Sequence, residues 1–249
     1  MSTVAQSWSS PLCMETWHRA LSNAEGRDKL LRLAQYSCKL LRGIEQNKPF
    51  TSSSSRTLLA LESALSTSRQ IGRLLKWTSI YAKRRSTSSP SAASSSQQTL
   101  NVLSDVALFG YYLCDNLTFL CKTGVIGGDV GRASRRAARF WMASILTGMI
   151  GTLFSLLQIR RQAILLRRTL SQSDDKQSSA SRVCERNLRT YGALQRTRCV
   201  TLMKQVADVI ISMSLSQEKP MHNAITGTCG VVSSTIACSQ IWPTSPSTR

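Results

Sequence analysis

The sequence predicts an all-α integral membrane protein, with amphipathic helices on a membrane surface in its N-terminal part and one or two transmembrane helices behind them. Three observations carry that prediction. Residues 140–159 (FWMASILTGMIGTLFSLLQI) run for twenty positions without a charged side chain. Residues 224–242 (AITGTCGVVSSTIACSQIW) form a second charge-free run of nineteen. Between positions 56 and 85, apolar residues recur every three or four places beside a strip of Arg and Lys, with Glu62 the single acid.

The first run is the strongest. As a helix it is about 30 Å long, the thickness of a bilayer's hydrocarbon core. Arg132, Arg135, Arg136 and Arg139 stand before it, and Arg160, Arg161, Arg167 and Arg168 after it. A buried helix of a soluble domain is the competing reading, but helices of that kind carry more polar residues over such a length. Ser144, Gly148, Gly151 and Ser155 follow one another at spacings of four, three and four. They set small residues along one face, which lets helix backbones approach closely in lipid. The second run is richer in Ser and Thr and so is a weaker span. Gly227, Gly230 and Ser234 again line one face, and Trp242 suits an interfacial anchor.

The other segments follow in chain order. Residues 12–85 read as the N-terminal amphipathic region. A helix is predicted from Pro11 to about Ile44, restarting at a capping box over Ser22, Asn23, Ala24 and Glu25. Leu30, Leu33, Ser37, Leu40 and Ile44 lie on one side of it, with Lys29, Arg32, Tyr36, Lys39 and Arg42 on the other. A serine-rich turn at 51–55 leads to the second amphipathic helix, 56–85. Its apolar face is Leu58, Leu61, Leu65, Ser68, Gly72 and Leu75; its basic strip is Arg69, Arg73, Lys76 and Lys83; Trp77 and Tyr81 add amphipathic rings. Such a helix is expected to lie with its apolar face among acyl chains and its cations on lipid phosphates. A helix of a soluble bundle with a solvated basic face is the alternative.

Residues 86–99 (STSSPSAASSSQQT) read as a flexible linker. Residues 100–131 read as a packed or interfacial helix, interrupted by Asp105 and Asp115 and broken by Gly124, Gly127, Gly128 and Gly131. The first span and its collars occupy 132–160, a basic loop with a helix 161–223, the second span 224–242, and a tail 243–249. Two spans would put both termini on one side of the membrane, although charge alone does not choose that side.

Composition narrows the function. Thirty-two Lys and Arg against thirteen Asp and Glu give a net charge of +19, which implies an anionic partner: an acidic phospholipid surface or a nucleic acid. Aromatic residues make up only 6%, thin material for one large soluble core. The eight cysteines are scattered without a CxxC, as expected of thiols in a reducing compartment. No apolar run follows Met1, so no secretory signal is expected. The final residues, SPSTR, are not a peroxisomal Ser-Lys-Leu address. His18 and His222 sit in no metal-ligand spacing, and Gly124–Gly131 (GVIGGDVG) lacks the Lys and Ser/Thr of a phosphate loop. No nucleophile–base set appears. The expectation is a non-enzyme with no cofactor and no metal.

Several stretches together resemble the peroxisomal biogenesis factor 11 family. Gly26, Arg27, Asp28 and Lys29, followed by Arg32, Gln35 and Tyr36, resemble its N-terminal signature. Leu61, Glu62 and Ser63, then Ser68, Arg69 and the run Arg73-Leu74-Leu75-Lys76, resemble its basic amphipathic helix. The run from Tyr111 to Asn116 with Lys122, Thr123 and Gly124 resembles its central segment, with the aromatic expected near Leu120 displaced to Phe119. Phe140 and Trp141 open a span in the expected place, and Gly227, Gly230, Ser233, Ser234 and Trp242 resemble its closing segment. The likeness is dispersed from about Asn23 to Trp242. The serine-rich linkers and the very basic loop depart from a typical member.

The resemblance implies a peroxisomal membrane protein, or a glycosomal one in organisms with glycosomes. It would elongate the membrane and promote organelle proliferation and fission, with its termini in the cytosol. It also implies self-association, contact with fission machinery and an import receptor for peroxisomal membrane proteins, and membrane insertion through the helix holding Leu61, Leu65, Arg69, Arg73, Leu75 and Lys76. Two alternatives stand beside it. An oligomeric channel for small metabolites would need several copies, since no charge inside either run marks an ion path. A nucleic-acid-binding protein would need a basic groove with stacking aromatics, which the sequence does not display.

Overall fold

The computed structural model describes residues 14–45, 53–86, 95–172 and 179–242. Pro11, most of the 86–99 linker and the 243–249 tail lie outside the described residues. Among these, the chain forms eight helices: α1 (Met14–Ser22), α2 (Ala24–Glu45), α3 (Ser53–Gly72), α4 (Trp77–Ser86), α5 (Ser95–Lys122), α6 (Val130–Gln172), α7 (Ser179–Ser216) and α8 (Asn223–Ile241).

Local chemistry sets the breaks. Between α1 and α2 the cap is Asn23, one residue later than the sequence suggested: its Oδ1 accepts the Glu25 N–H at 3.0 Å. The Arg27 guanidinium reaches back to the Leu21 carbonyl at 3.0 Å and ties the two helices together. The expected single helix over 56–85 is two helices. α3 ends at Gly72, and Leu75 sits at φ 59° in the turn before α4, a left-handed position that costs a leucine about 1–2 kcal/mol. The stretch 53–55, expected as a turn, is the first turn of α3. α5 begins at Ser95, inside the expected linker, and closes on Gly124 at φ 77°. There the Val125 N–H reaches the Leu120 carbonyl at 3.1 Å and the Gly124 N–H reaches that of Cys121 at 3.2 Å, which satisfies the last carbonyls of the helix. The predicted glycine break thus has a defined geometry. His222 caps α8, its Nδ1 accepting the Ala224 N–H at 3.2 Å.

Small residues pack the long helices. α5 lies along the first half of α6, where the Ser104 hydroxyl donates to the Ser144 carbonyl at 3.1 Å and Ser144 returns the bond at 3.0 Å. Gly148 faces Gln205 of α7 and Gly151 faces Gln97 of α5. α2 and α8 approach until there is no room for side chains. A Cβ on Gly227 would lie 2.6 Å from the Leu40 backbone, and one on Gly230 would overlap the Tyr36 ring. Trp17 of α1 closes this end, edge-on to Trp242 at 5.0 Å.

The bundle is inverted relative to a water-soluble one. Many of its buried positions are small or polar, Arg32, Arg73, Asp115, Asp208, Ser212 and Ser233 among them, beside a few larger apolar ones such as Tyr36, Ile145 and Ile211. Large apolar side chains such as Ile150, Phe154, Leu157, Met203, Val206 and Val232 point outward. That is the distribution expected where the surrounding solvent is hydrocarbon. Among the described residues three helices are long and apolar enough to cross a membrane, over Val130–Ser171, Arg182–Ser216 and Asn223–Ile241. Their most apolar windows are only 22%, 28% and 33% buried, leaving the rest of each outside the packed interior. The sequence anticipated two of the three. α7 falls in the stretch expected as a basic loop with a helix, and Lys204 and Asp208 interrupt its apolar half. The two lie one turn apart and neutralise each other at 2.9 Å.

Candidate functional site

α2, α3, α4, α5, α6 and α7 line a cleft of about 690 Å³. Eight Lys or Arg and five Asp or Glu line it, together with Tyr111, Tyr112 and Trp141. It sits beside the start of α6, where Ser134, Ala137, Ala138 and Trp141 contribute, just ahead of the charge-free run.

The N-terminal signature on α2 builds one wall. Asp28 accepts from Arg69 Nε at 3.1 Å and lies 3.8 Å from Arg73. Gln35 accepts from Arg69 at 2.6 Å. Lys29 reaches Glu25 and Asp28 at 3.9 and 4.0 Å. Arg32 is 5% exposed and donates to Asp208 of α7 at 2.5 Å, and Asp208 also takes the Ser233 hydroxyl of α8 at 2.5 Å. Arg32 lies over the Tyr36 and Trp141 rings at 5.5 and 5.3 Å. Tyr36 packs on Gly230. The signature residues are therefore the hub that joins α3, α7 and α8, with Gly26 buried and Arg27 holding α1.

α3 and α5 supply the opposite wall. Arg73, 9% exposed, pairs with Asp115 at 3.0 Å and lies over the Tyr111 ring at 5.8 Å. Glu62 receives Arg42, with Lys39 at 3.9 Å. Lys76 lies 5.7 Å from the centre of the Tyr112 ring, and Lys122 donates to Thr67 at 2.7 Å. Burial opposes the charge of Asp28, but Arg69, Arg73 and Lys29 outweigh it and hold the carboxyl below the usual range. Burial also lowers Lys29 and Lys39 and pushes the Tyr111 phenol up to about 12, so the phenol is neutral at physiological pH. Arg69 is lowered by burial and by Arg73, whereas Arg73 is raised because Tyr111, Asp115 and Asp28 outweigh its burial.

This geometry corrects the expected basic strip. Arg69 and Arg73 turn inward onto carboxylates instead of outward toward lipid phosphate, because their partners Asp28 and Asp115 lie on α2 and α5. Lys76 is half-buried at the cleft, Trp77 packs edge-on against Phe109 at 5.7 Å, and Lys83 is exposed. On the apolar face Leu61 and Leu75 are outward, at 47% and 63% exposure, while Leu58 and Leu65 are half-buried. Ser144, Gly148 and Gly151 meet α5 and α7 of the same chain, and Ser155 is half-buried. Gly227 and Gly230 meet α2, and Ser234 is fully buried. Lys204 and Asp208 were not among the expected residues, and Arg32, Asp115 and Trp141 were expected only as parts of motifs, not as members of one cleft. The signal for Asp208 was available: an ionisable residue in an otherwise apolar helical stretch is there for a partner. Among the described residues no group of three or more His, Cys, Asp or Glu could hold a metal, and the described cysteines are free thiols.

An all-α bundle with apolar faces outside, paired charges inside and three span-length helices defines a helical membrane protein. The comparisons make the class specific. The family model for peroxisomal biogenesis factor 11 matches residues 14–242, and the chain belongs to that family. It is similar to peroxisomal membrane protein 11A of Bos taurus, 30% identical over 152 residues, covering 60% of this chain and 61% of the relative. It is similar to peroxisomal membrane protein 11-1 of Oryza sativa subsp. japonica, 26% identical, with 90% and 89% covered. It is also similar to peroxisomal membrane protein PMP30B of Candida boidinii, 24% identical, with 89% and 91% covered. The chain spans about three-fifths of the length of the mammalian relatives it matches. No solved structure matches it.

Proposed function

We propose that this chain is a peroxisomal membrane protein that elongates the membrane and promotes organelle proliferation and fission. It acts by laying apolar helix faces into one leaflet, and it self-associates to concentrate the effect. Family membership and the names of its relatives support the location. The observation that carries the mechanism is the outward stripe of α3. Leu61, Ala64, Ser68 and Ile71 follow one another at helical spacing and are all exposed, with Leu75 exposed in the turn beyond, while the guanidiniums of Arg69 and Arg73 are turned in. An apolar stripe of that kind occupies area among the lipid headgroups and expands one leaflet relative to the other. The inward arginines hold α3 against the bundle, so the wedge is rigid.

The full-length chain reconstituted into phosphatidylserine-containing liposomes is expected to draw them into tubules visible by electron microscopy. Replacing Leu61 and Ile71 with Ser should abolish the tubules while the protein still resists alkaline carbonate extraction through its span-length helices. Tubules formed equally well by the variant would overturn the wedge.

A further inference from the structure

We propose that the charged cleft is a binding site for a phosphate monoester, carried either by a lipid headgroup or by a small soluble organophosphate. The proposal does not rest on the membrane-wedge reading above; it rests on the charge account and shape of the cleft.

The five carboxylates of the lining are all engaged by cations. Glu25 and Asp28 meet Lys29, Asp28 also meets Arg69, Asp115 meets Arg73, Asp208 meets Arg32 and Lys204, and Glu62 meets Lys39 and, beyond the lining, Arg42. Eight cations against five anions leave the lining three positive charges in surplus. Two of the surplus cations can be named. Lys76 faces the Tyr112 ring and Lys122 faces the Thr67 hydroxyl, and neither has a carboxylate partner among the described residues.

A neutral or singly charged ligand would leave most of the surplus unbalanced; a phosphate monoester carries nearly two charges and several strong acceptor oxygens.

Size and position agree with this ligand class. About 690 Å³ lies within the range of small-molecule sites and far exceeds a bare phosphate. Tyr111, Tyr112, Trp141, Ile80 and Leu108 give the remainder of the ligand an apolar and aromatic wall. The cleft adjoins the residues that open the charge-free run of α6, which is the headgroup level if that run lies in a bilayer. A lipid headgroup could enter there from the side, and a soluble organophosphate from the aqueous face.

The test is titration of the full-length chain in a neutral detergent with dioctanoyl phosphatidic acid, with glycerol 3-phosphate, and with dioctanoyl phosphatidylcholine as the zwitterionic control. Heat of binding and melting temperature are both read. At least one phosphomonoester is expected to bind and raise the melting temperature, with phosphatidylcholine far weaker. Binding of phosphatidic acid alone identifies the lipid as the source; binding of glycerol 3-phosphate identifies a soluble ligand; either upholds the site. Lys76→Gln with Lys122→Gln should weaken binding at least tenfold, whereas Arg167→Gln with Arg168→Gln, at exposed positions on α6, should not. The lysines have no carboxylate to orphan, so the ligand-free melting temperature of that variant should match the parent. Lys122→Gln alone, at the exposed mouth, gives a second reading should the double variant melt early. The proposal is overturned if neither phosphomonoester binds, if phosphatidylcholine binds equally, or if the lysine substitutions weaken binding no more than the arginine pair.

Discussion

Two regions of this molecule carry dense positive charge, and they handle it in opposite ways. In the cleft, the guanidiniums of Arg32, Arg69 and Arg73 are buried and tied to Asp208, Asp28 and Asp115. In the far half of the α6–α7 pair, nine arginines (Arg160, Arg161, Arg167 and Arg168 on α6; Arg182, Arg186, Arg189, Arg196 and Arg198 on α7) are all exposed, with Glu185 the acid among them. α6 is forty-three residues long, about 65 Å, roughly twice what a bilayer's hydrocarbon core requires. When its charge-free run occupies the membrane, the cleft and the arginine-rich segment fall on opposite faces. The difference teaches that net charge alone says little about function. The same residue type is an internal fastener in one region and a solvated surface in the other.

The largest expected effect lies at the centre of the fastened region. Arg32→Met leaves Asp208 buried and without its guanidinium, and breaking a buried pair from one side costs about 3–5 kcal/mol. The variant is expected to melt far below the parent in detergent. Arg32→Met combined with Asp208→Leu and Lys204→Met removes all three charges of the cluster and should recover much of the loss. Arg186→Met in the exposed segment should shift stability by less than about 0.5 kcal/mol. Equal losses for Arg32→Met and Arg186→Met would erase the distinction between the two regions.

That contrast also explains what could be read from the sequence. The charge-free runs, the break near Asn23 and the glycine stop after Lys122 announce themselves locally, through composition, caps and glycine chemistry. The direction faced by Arg69 and Arg73 does not. Periodicity finds the two faces of α3 but cannot say which one is inside, and in a lipid-facing bundle the usual rule is reversed. The deciding partners, Asp28 and Asp115, are forty or so residues away in either direction. The end of α3 at Gly72 was not anticipated: there the glycine reads as one place on the apolar face of a single helix, and a leucine in the left-handed region at 75 is not a turn signal that any sequence rule supplies. α7 was obscured because Lys204 and Asp208 count as two charges in a composition and as none once paired. The cleft was out of reach for the same reason: it is assembled from six helices, and no single stretch contains it.

A smaller effect separates the glycines of the two regions. Gly230→Leu forces a side chain onto the Tyr36 ring between α2 and α8, where even a Cβ has no space. Overpacking of this kind costs about 1–3 kcal/mol. Gly192, in the exposed half of α7, has nothing within reach of an added Cβ. Gly192→Ala is expected to stabilise the protein by up to about 1 kcal/mol, because alanine is the better helix former. Melting temperatures of the two variants on either side of the parent would bear out the packing; a neutral Gly230→Leu would mean that α2 and α8 are not in contact.

The smallest expected effect is on pH dependence, and it again belongs to the fastened region. Asp28 is held below the usual carboxylate value because its cationic neighbours outweigh its burial. A carboxylate depressed in the folded state contributes stability that is fully present above its unfolded value, near pH 4. That contribution is lost as the pH falls through the lower folded value. The parent should therefore lose melting temperature below about pH 4 more steeply than Asp28→Asn, which has no proton to take up at that position. The variant itself starts lower at neutral pH, since Arg69 keeps its Gln35 contact but loses its carboxylate. Identical acid limbs for the parent and Asp28→Asn would mean that Asp28 is solvated, and that the cleft does not hold its charges in the way the outer helices leave theirs free.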